Sequence, residues 1–361
     1  MPLTEFGWNS FFQEQFKLYQ TQGYAPARVV RGQKQIYELC SAGGDFTAQV
    51  SGKFRHQTVA EGDFPVVGDW VAMQPQLPEA KATIHAVLPR QSKVSRKVPA
   101  GKRLEGKPAE QVIAANIDTL FIVTGLDRDF NLRRIERYLT FVYHSGAAPV
   151  IVLNKADVCA DLEIRLTEVA SIAFGTPVHA LSARKRQGLE ALRAYLAVGQ
   201  TAALLGSSGV GKSTIINGLL GEERQRVSDL SDSTNKGRHT TTHRELIALP
   251  AGGLLIDNPG MRELELWGDE ADLQGAFADI TELAAQCRFH DCSHAQEPGC
   301  AVRAALSQCV LDHQRFRSYL KLQKELGYLA KRREQAPRVI EKERWKQIAK
   351  SQRVIQKSKR K

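Results

Sequence analysis

The stretch Gly206 to Thr214, GSSGVGKST, combines three glycines, three serines, a lysine and a threonine in an order suited to holding phosphates. Gly206, Gly209 and Gly211 let backbone N–H groups close around a polyphosphate, with Ser207, Ser208 and Val210 filling the loop. Lys212 reaches the terminal phosphates, and Ser213, followed by Thr214, offers a hydroxyl to Mg2+. The stretch lies between an apolar strand, TAALL, and a helical pattern, STIINGLL. That is the setting the chemistry needs, because a helix N-terminus favours negative charge. Forty-five residues after Lys212, DNPG ends a second apolar run, GGLLI. Asp257 there can hold Mg2+ through water, and the Gly260 N–H can meet a γ-phosphate. Asn-Pro-Gly taken alone reads as a tight turn.

Between these motifs runs VSDLSDSTNKGRHTTTHRE, polar and without periodicity. A connection of that length in a compact domain is usually functional or disordered. Its expected role is a mobile loop whose threonine ligates Mg2+ only while the γ-phosphate is present. Thr241 and Thr242 are favoured over Thr240, with Thr241 the assigned ligand. In many GTPases a glutamine just after DxxG orients the attacking water. Met261 occupies that position and has no group to do so. Hydrolysis should therefore be slow unaided, and His239, beside the threonines, is the candidate catalytic group together with Lys212, Thr241 and Thr242. Arg238 and Lys236 can stabilise charge or bind RNA.

NKAD, Asn154 to Asp157, follows the apolar run PVIVL. A carboxylate at Asp157 accepts from both guanine N1–H and the exocyclic amine, a pair of donors that adenine lacks, so guanine is favoured by several kcal/mol. The stem of Lys155 would cover the base. A polar turn before a helix is the competing reading of four residues. ALSAR supplies a second element: near Ser182 and Ala183 a backbone N–H can contact the guanine carbonyl.

In this order, NKAD, SAR, GSSGVGKST, RHTTT, DNPG, the sequence resembles the circularly permuted GTPases, specifically the ribosome small subunit-dependent GTPase A family. The resemblance extends through NIDTLFIVTGLDRDFNLRRIERYL and VVGDWV. It implies GTP/GDP as ligand and slow hydrolysis stimulated by the small ribosomal subunit. It further implies binding to that subunit and its rRNA late in maturation, with release coupled to hydrolysis, and it favours a histidine at 239. Permutation is compatible with an intact sheet when a chain is cut at one surface loop and rejoined at another.

CRFHDCSHAQEPGC sets Cys287, Cys292, His294 and Cys300 in the spacing C-x4-C-x-H-x5-C, with His290 as a spare. Four soft or borderline ligands suit one tetrahedral, structural Zn2+, and the family resemblance implies these same four. A disulfide framework is the alternative, disfavoured by the absence of an export signal. Cys40, Cys159 and Cys309 read as small buried residues.

These sites need elements to position them. Apolar runs alternating with helical patterns, DTLFIVTG, PVIVLNKAD, TPVHALSAR, TAALLGSSG and GGLLIDNPG, predict a parallel sheet with ligands at the carboxyl ends of its strands. Before it, QIYEL, FTAQVSG, VVGDWVAM and ATIHAVL alternate as strands of a small barrel or sandwich. A five-stranded oligonucleotide-binding barrel is one candidate. The expected fold is multidomain. It has a helical extension (1–34), with Trp8, Phe11, Phe12 and Phe16 on one face, and an OB-like β-barrel (35–105). There follow a central α/β P-loop GTPase domain with permuted motif order (106–270), a mainly helical zinc-binding domain (271–330) and a basic tail (331–361).

The chain has 361 residues, 42% hydrophobic and 25% charged, and a net charge of +11. The tail holds 13 Lys or Arg against 3 Asp or Glu, leaving 37 against 36 elsewhere. Such a tail can neutralise phosphates, so a polyanion is its natural partner. With no run of eighteen apolar residues and no signal peptide, a cytoplasmic protein without membrane contact is expected, and a monomer. Two other readings compete: a zinc and barrel RNA-binding protein with a structural nucleotide site, and an ATP-dependent enzyme.

Overall fold

The computed structural model describes residues 2–33, 35–57, 61–98, 109–221, 244–257 and 271–327. His239, Thr241, Thr242, Gly260, Met261 and the tail 331–361 lie outside the described residues. Five strands close into a barrel: β1 (Ala25–Gln33), β2 (Ile36–Ser41), β3 (Gly44–Val50), β4 (Trp70–Gln76) and β5 (Lys81–Val87), in the order β1-β2-β3-β5-β4 with β4 returning to β1. Only β3 and β5 run parallel. Alternate residues point inward, which is why β3 reads exposed, buried, exposed along its length. Val29, Leu39, Phe46, Ala48, Met73 and Ile84 fill the interior.

The first of these strands corrects the expectation for 1–34. Residues 25–33 are a barrel strand and not part of a helical extension. Two residues hid it. Pro26 sits near its start, and Arg28, on the face opposite the inward-pointing Ala27 and Val29, is buried as well, 1% exposed, so the strand shows no clean alternation of burial. The guanidinium is satisfied by three carbonyls, those of Gly68, Phe6 and Asn116. Burial lowers its pKa to about 10, against the attraction of Asp118 and Asp69. The remainder of the extension is helical, as read: α1 (Ser10–Gln20) buries Phe12 and Phe16, and Trp8 meets Trp70 edge-on at 4.7 Å. A short α2 (Gly52–Gln57) follows β3.

A two-stranded ladder, β6 (Lys93–Val98) with β7 (Ala109–Ala115), leads out of the barrel. The second sheet then runs β8 (Thr119–Gly125), α3 (Leu132–Ser145), β9 (Ala148–Asn154), α4 (Leu162–Ala170), β10 (Val178–Ala180), α5 (Glu190–Arg193), β11 (Thr201–Leu205), α6 (Lys212–Leu220), β12 (Glu245–Ala248) and β13 (Leu254–Asp257). Its order is β10-β9-β8-β11-β13-β12, parallel except for β12. Helices cover both faces, so β8 and β11 are buried at every position. β11 lies between β8 and β13, although β8, β9 and β10 all precede it in the chain. β12 also meets β1, where Arg31 pairs with Glu245 and the two side chains form an ion pair at 2.8 Å. Barrel and parallel sheet thus share one run of strands.

Beyond β13, α7 (Ala271–Ala276), α8 (Ala278–Ala284), α9 (Ala301–Ser307) and α10 (313–327) form the carboxyl-terminal region. Their apolar residues Phe277, Ile280, Val302 and Leu326 join one core with Ile135 and Leu139 of α3. No helix among the described residues is long and apolar enough to cross a membrane.

Candidate nucleotide site and metal centre

The phosphate loop leaves β11 and enters α6 at the carboxyl edge of the sheet. Gly206, Gly209 and Gly211 have φ of 156°, 77° and 97°, conformations that L side chains rarely adopt. Space requires glycine as well. A Cβ on Gly206 would lie 2.2 Å from the Val123 carbonyl oxygen, and one on Gly211 would lie 2.2 Å from Asn154 Nδ2. Lys212 Nζ folds over the loop and donates to the carbonyls of Gly206 and Ser207, each at 2.6 Å. Ser213 and Thr214 occupy the first turn of α6, where N–H groups without helical partners face an anion. Asp257 ends β13, and the register Ala203 to Ile256 places it at the same edge as the loop.

The base-side residues come from the turns after β9 and β10. Asn154, 3% exposed, acts as a strut. Its Nδ2 donates to the Val210 carbonyl at 2.8 Å and its Oδ1 accepts from Ala183 N–H at 3.0 Å. One amide therefore ties NKAD to both the phosphate loop and the SAR turn. Lys155 is held at φ 68°, and its ammonium pairs with Asp127 at 2.5 Å, which leaves the stem lying along the site. Burial raises the Asp127 pKa, but the Lys155 hydrogen bond and charge outweigh it and hold the carboxyl below its ordinary range. The Ser182 hydroxyl does the same for Asp157, keeping it ionised and able only to accept. Replacing Asn154 with Ala should leave Ala183 N–H and the Val210 carbonyl unpaired, costing about 1–3 kcal/mol for each. Denaturant unfolding and GDP titration should both register the loss; an unchanged GDP affinity would remove the strut from the site.

Two residues that the sequence reading passed over also belong here. Asp127 anchors Lys155, and Arg134, at the start of α3, donates to Ser207 Oγ at 2.9 Å and to Asp129 Oδ2 at 2.5 Å. Their only local signal is the turn LDRD at the carboxyl end of an apolar strand. That is where ligands of such sheets bind.

In the carboxyl-terminal region Cys287, Cys292, His294 and Cys300 bring their ligand atoms within 4.8 Å of one another. Cys287 Sγ lies 3.9 Å from Cys300 Sγ and 3.7 Å from His294 Nδ1, and Cys300 Sγ lies 3.5 Å from His294 Nδ1. Ligands bound to Zn2+ at tetrahedral angles and bond lengths near 2.3 Å for sulfur stand about 3.8 Å apart. The donor set and its spacing fit that ion, and the thiols are not joined as disulfides. Of the remaining cysteines Cys40 is buried and Cys159 half-buried, but Cys309 is exposed, against expectation, at a φ of 58° just beyond α9. His290 is exposed and outside the cluster.

The family model for RsgA GTPase matches residues 87–267, from the exit of the barrel past Asp257. Small ribosomal subunit biogenesis GTPase RsgA of Opitutus terrae is 49% identical over 98% of this chain and 97% of its own length. The chain belongs to the RsgA GTPase family. The protein of the same description from Syntrophotalea carbinolica is 47% identical over 96% of each chain. Among solved structures, YjeQ from Thermotoga maritima superposes with a TM-score of 0.64 at 26% identity, covering 84% of this chain and 98% of its own. YloQ, described as a circularly permuted GTPase, gives a TM-score of 0.61 at 22% identity, over 84% and 95%, and shares the fold. Membership makes this chain a GTP hydrolase with a guanine nucleotide as its ligand. The RsgA fold explains the motif order: the strand carrying the phosphate loop is central in the sheet but late in the chain.

Proposed function

We propose that this protein binds the small ribosomal subunit through its rRNA, acts in late maturation of that subunit, and leaves it on hydrolysing GTP. The observation that carries this reading is the match, over 98% of the chain, to a protein named for small-subunit biogenesis. The barrel, beginning at β1, the zinc region and the basic tail are its contacts with RNA. It works as a monomer in the cytoplasm.

In this reading the loop from Gly206 to Val210 and the amides at the start of α6 bind the phosphates, and Lys212 exchanges its two carbonyl partners for phosphate oxygens. Asp157 accepts from the guanine edge, Ser182 keeps it charged, a backbone N–H of the SAR turn near Ala183 meets the base carbonyl, the Ala183 N–H itself being held by Asn154, and Lys155 covers the ring. Ser213, Thr241 and, through water, Asp257 would hold Mg2+, which would supply positive charge against the β- and γ-phosphates. Thr242 and Gly260 stand at the γ-phosphate, and His239 orients the attacking water in place of the glutamine absent at Met261. Cys287, Cys292, His294 and Cys300 hold one structural Zn2+.

The test is steady-state GTP hydrolysis by zinc-replete protein, alone and with small subunits, large subunits or free RNA. Stimulation by small subunits only, abolished by Lys212→Ala, is the expected result. Equal slow turnover under every condition would remove the subunit as activator, and preference for ATP in competition would remove the guanine assignment.

A further inference from the structure

The first two turns of α3 divide between two parts of the molecule. Arg134 faces the phosphate loop, its Nη1 donating to Ser207 Oγ at 2.9 Å and to Asp129 Oδ2 at 2.5 Å. Its own backbone N–H is held by the Asn131 cap at 3.1 Å, so the side chain starts from a fixed point. Arg133 and Glu136 lie on another face of the helix and bind the carboxyl-terminal region, as does Arg137, one turn beyond Arg134. Arg133 bridges Glu136 at 2.6 Å and Asp312 at 3.0 Å. Arg315 of α10 donates to Glu136 at 3.0 Å and makes two bonds of 2.7 Å to Asp279 of α8. Arg137 pairs with Glu325 at 2.6 Å.

Glu136 is fully buried and Arg315 is 3% exposed. A buried pair with this many partners resists separation, because removing one partner leaves an uncompensated charge. Helix α3 and the carboxyl-terminal helices therefore move together. The contact on the other face is of a different kind. A single hydrogen bond at 2.9 Å is lost when a helix shifts by the ~1–2 Å common in switching proteins.

We propose that Arg134 is a positioning residue for GTP hydrolysis, and that α3 is the element through which the carboxyl-terminal helices act on the phosphate loop. By holding Ser207, Arg134 fixes the loop whose N–H groups must point at the phosphates. A load on the carboxyl-terminal region reaches the loop through the Glu136–Arg315–Asp279 and Arg137–Glu325 links. The coupling to the ribosomal subunit rests on the function proposed above; the coupling inside the chain does not.

The experiment uses the full, zinc-loaded chain and four variants: Arg134→Ala, Arg134→Lys, Arg137→Glu, which sets like charges against Glu325, and Arg134→Ala combined with Arg137→Glu. Arg134→Ala should lower basal kcat about tenfold with a smaller change in KM, since it perturbs an oriented loop. Arg134→Lys should recover only part, because a shorter ammonium side chain does not set its donors where Arg134 Nη1 stands. In the GDP-bound protein Arg137→Glu should speed amide exchange in residues 206–211, and this effect should vanish in the Arg134→Ala background. Stimulation by small subunits should fall about fivefold in Arg137→Glu, with basal kcat lowered less than in Arg134→Ala. Unchanged exchange in Arg137→Glu, or equal effects in both backgrounds, would overturn the proposal. If the unaltered protein shows no stimulation at all, the proposed subunit function fails, while the exchange measurement still decides the coupling within the chain. Arg315→Lys, which keeps the buried charge, serves as a second break in the link.

Discussion

Replacing Asp157 with asparagine is expected to weaken GTP binding about 10^3-fold and to shift preference toward xanthosine triphosphate. The carboxylate accepts from guanine N1–H and from the exocyclic amine, and the Ser182 hydroxyl holds it ionised for that task. An asparagine keeps one acceptor but turns an NH2 toward the guanine amine, so two donors meet. Xanthine carries a carbonyl at that ring position, and the same NH2 then finds an acceptor. The gain and the loss arise from one hydrogen-bonding edge, so they should appear together in competition binding. The rest of the site should be untouched, because Asn154 and Lys155 have their partners elsewhere, on Val210, Ala183 and Asp127. Equal weakening toward both nucleotides would mean that Asp157 supports the turn and does not read the base.

The second large effect is expected at the metal centre. Chelation, or Cys292→Ser, should unfold the segment from 287 to 300 and lower the melting temperature of the chain. Structural zinc supplies on the order of 10 kcal/mol of folding free energy in small sites, more than a knuckle of this size gains from its core. Few apolar side chains are buried there, with Arg288, Phe289 and His290 all exposed between two ligands. Cys300 is the exception, buried at the start of α9 with its sulfur accepting from Arg303 N–H. Zinc content should be one ion per chain in the intact protein. GDP affinity should be affected little, since Val123, Ala183, Leu204, Val210 and Ile215 around the nucleotide site pack in a separate core without carboxyl-terminal residues. A chain that binds no zinc and melts unchanged would show that the four side chains converge for another reason.

The residues of the nucleotide site and metal centre were legible in the linear sequence because each is set by a local requirement of geometry or donor chemistry. Gly206 and Gly211 answer to φ and to contacts that a Cβ would violate, and Cys287, Cys292, His294 and Cys300 are soft or borderline donors within fourteen residues. Strands β2 to β5 announced themselves by alternation, and the parallel strands by unbroken apolar runs. β1 did not, because its buried arginine has its hydrogen bonds satisfied by carbonyls contributed from residues 22, 40 and 88 positions away. The same holds for α3. Its charged residues at 133, 134, 136 and 137 look like a solvated helix face, yet Glu136 is fully buried against a partner 179 residues further on, and Arg134 reaches a loop 73 residues away. Local motifs were enough to single out the loop, the base turn and the Cys/His cluster, since those constraints act over a few residues. Which charges became internal, and which helix joins the nucleotide to the carboxyl-terminal region, was decided only when folding brought distant partners together. A charge is tolerated inside only where the groups that satisfy its hydrogen bonds or its charge arrive with it.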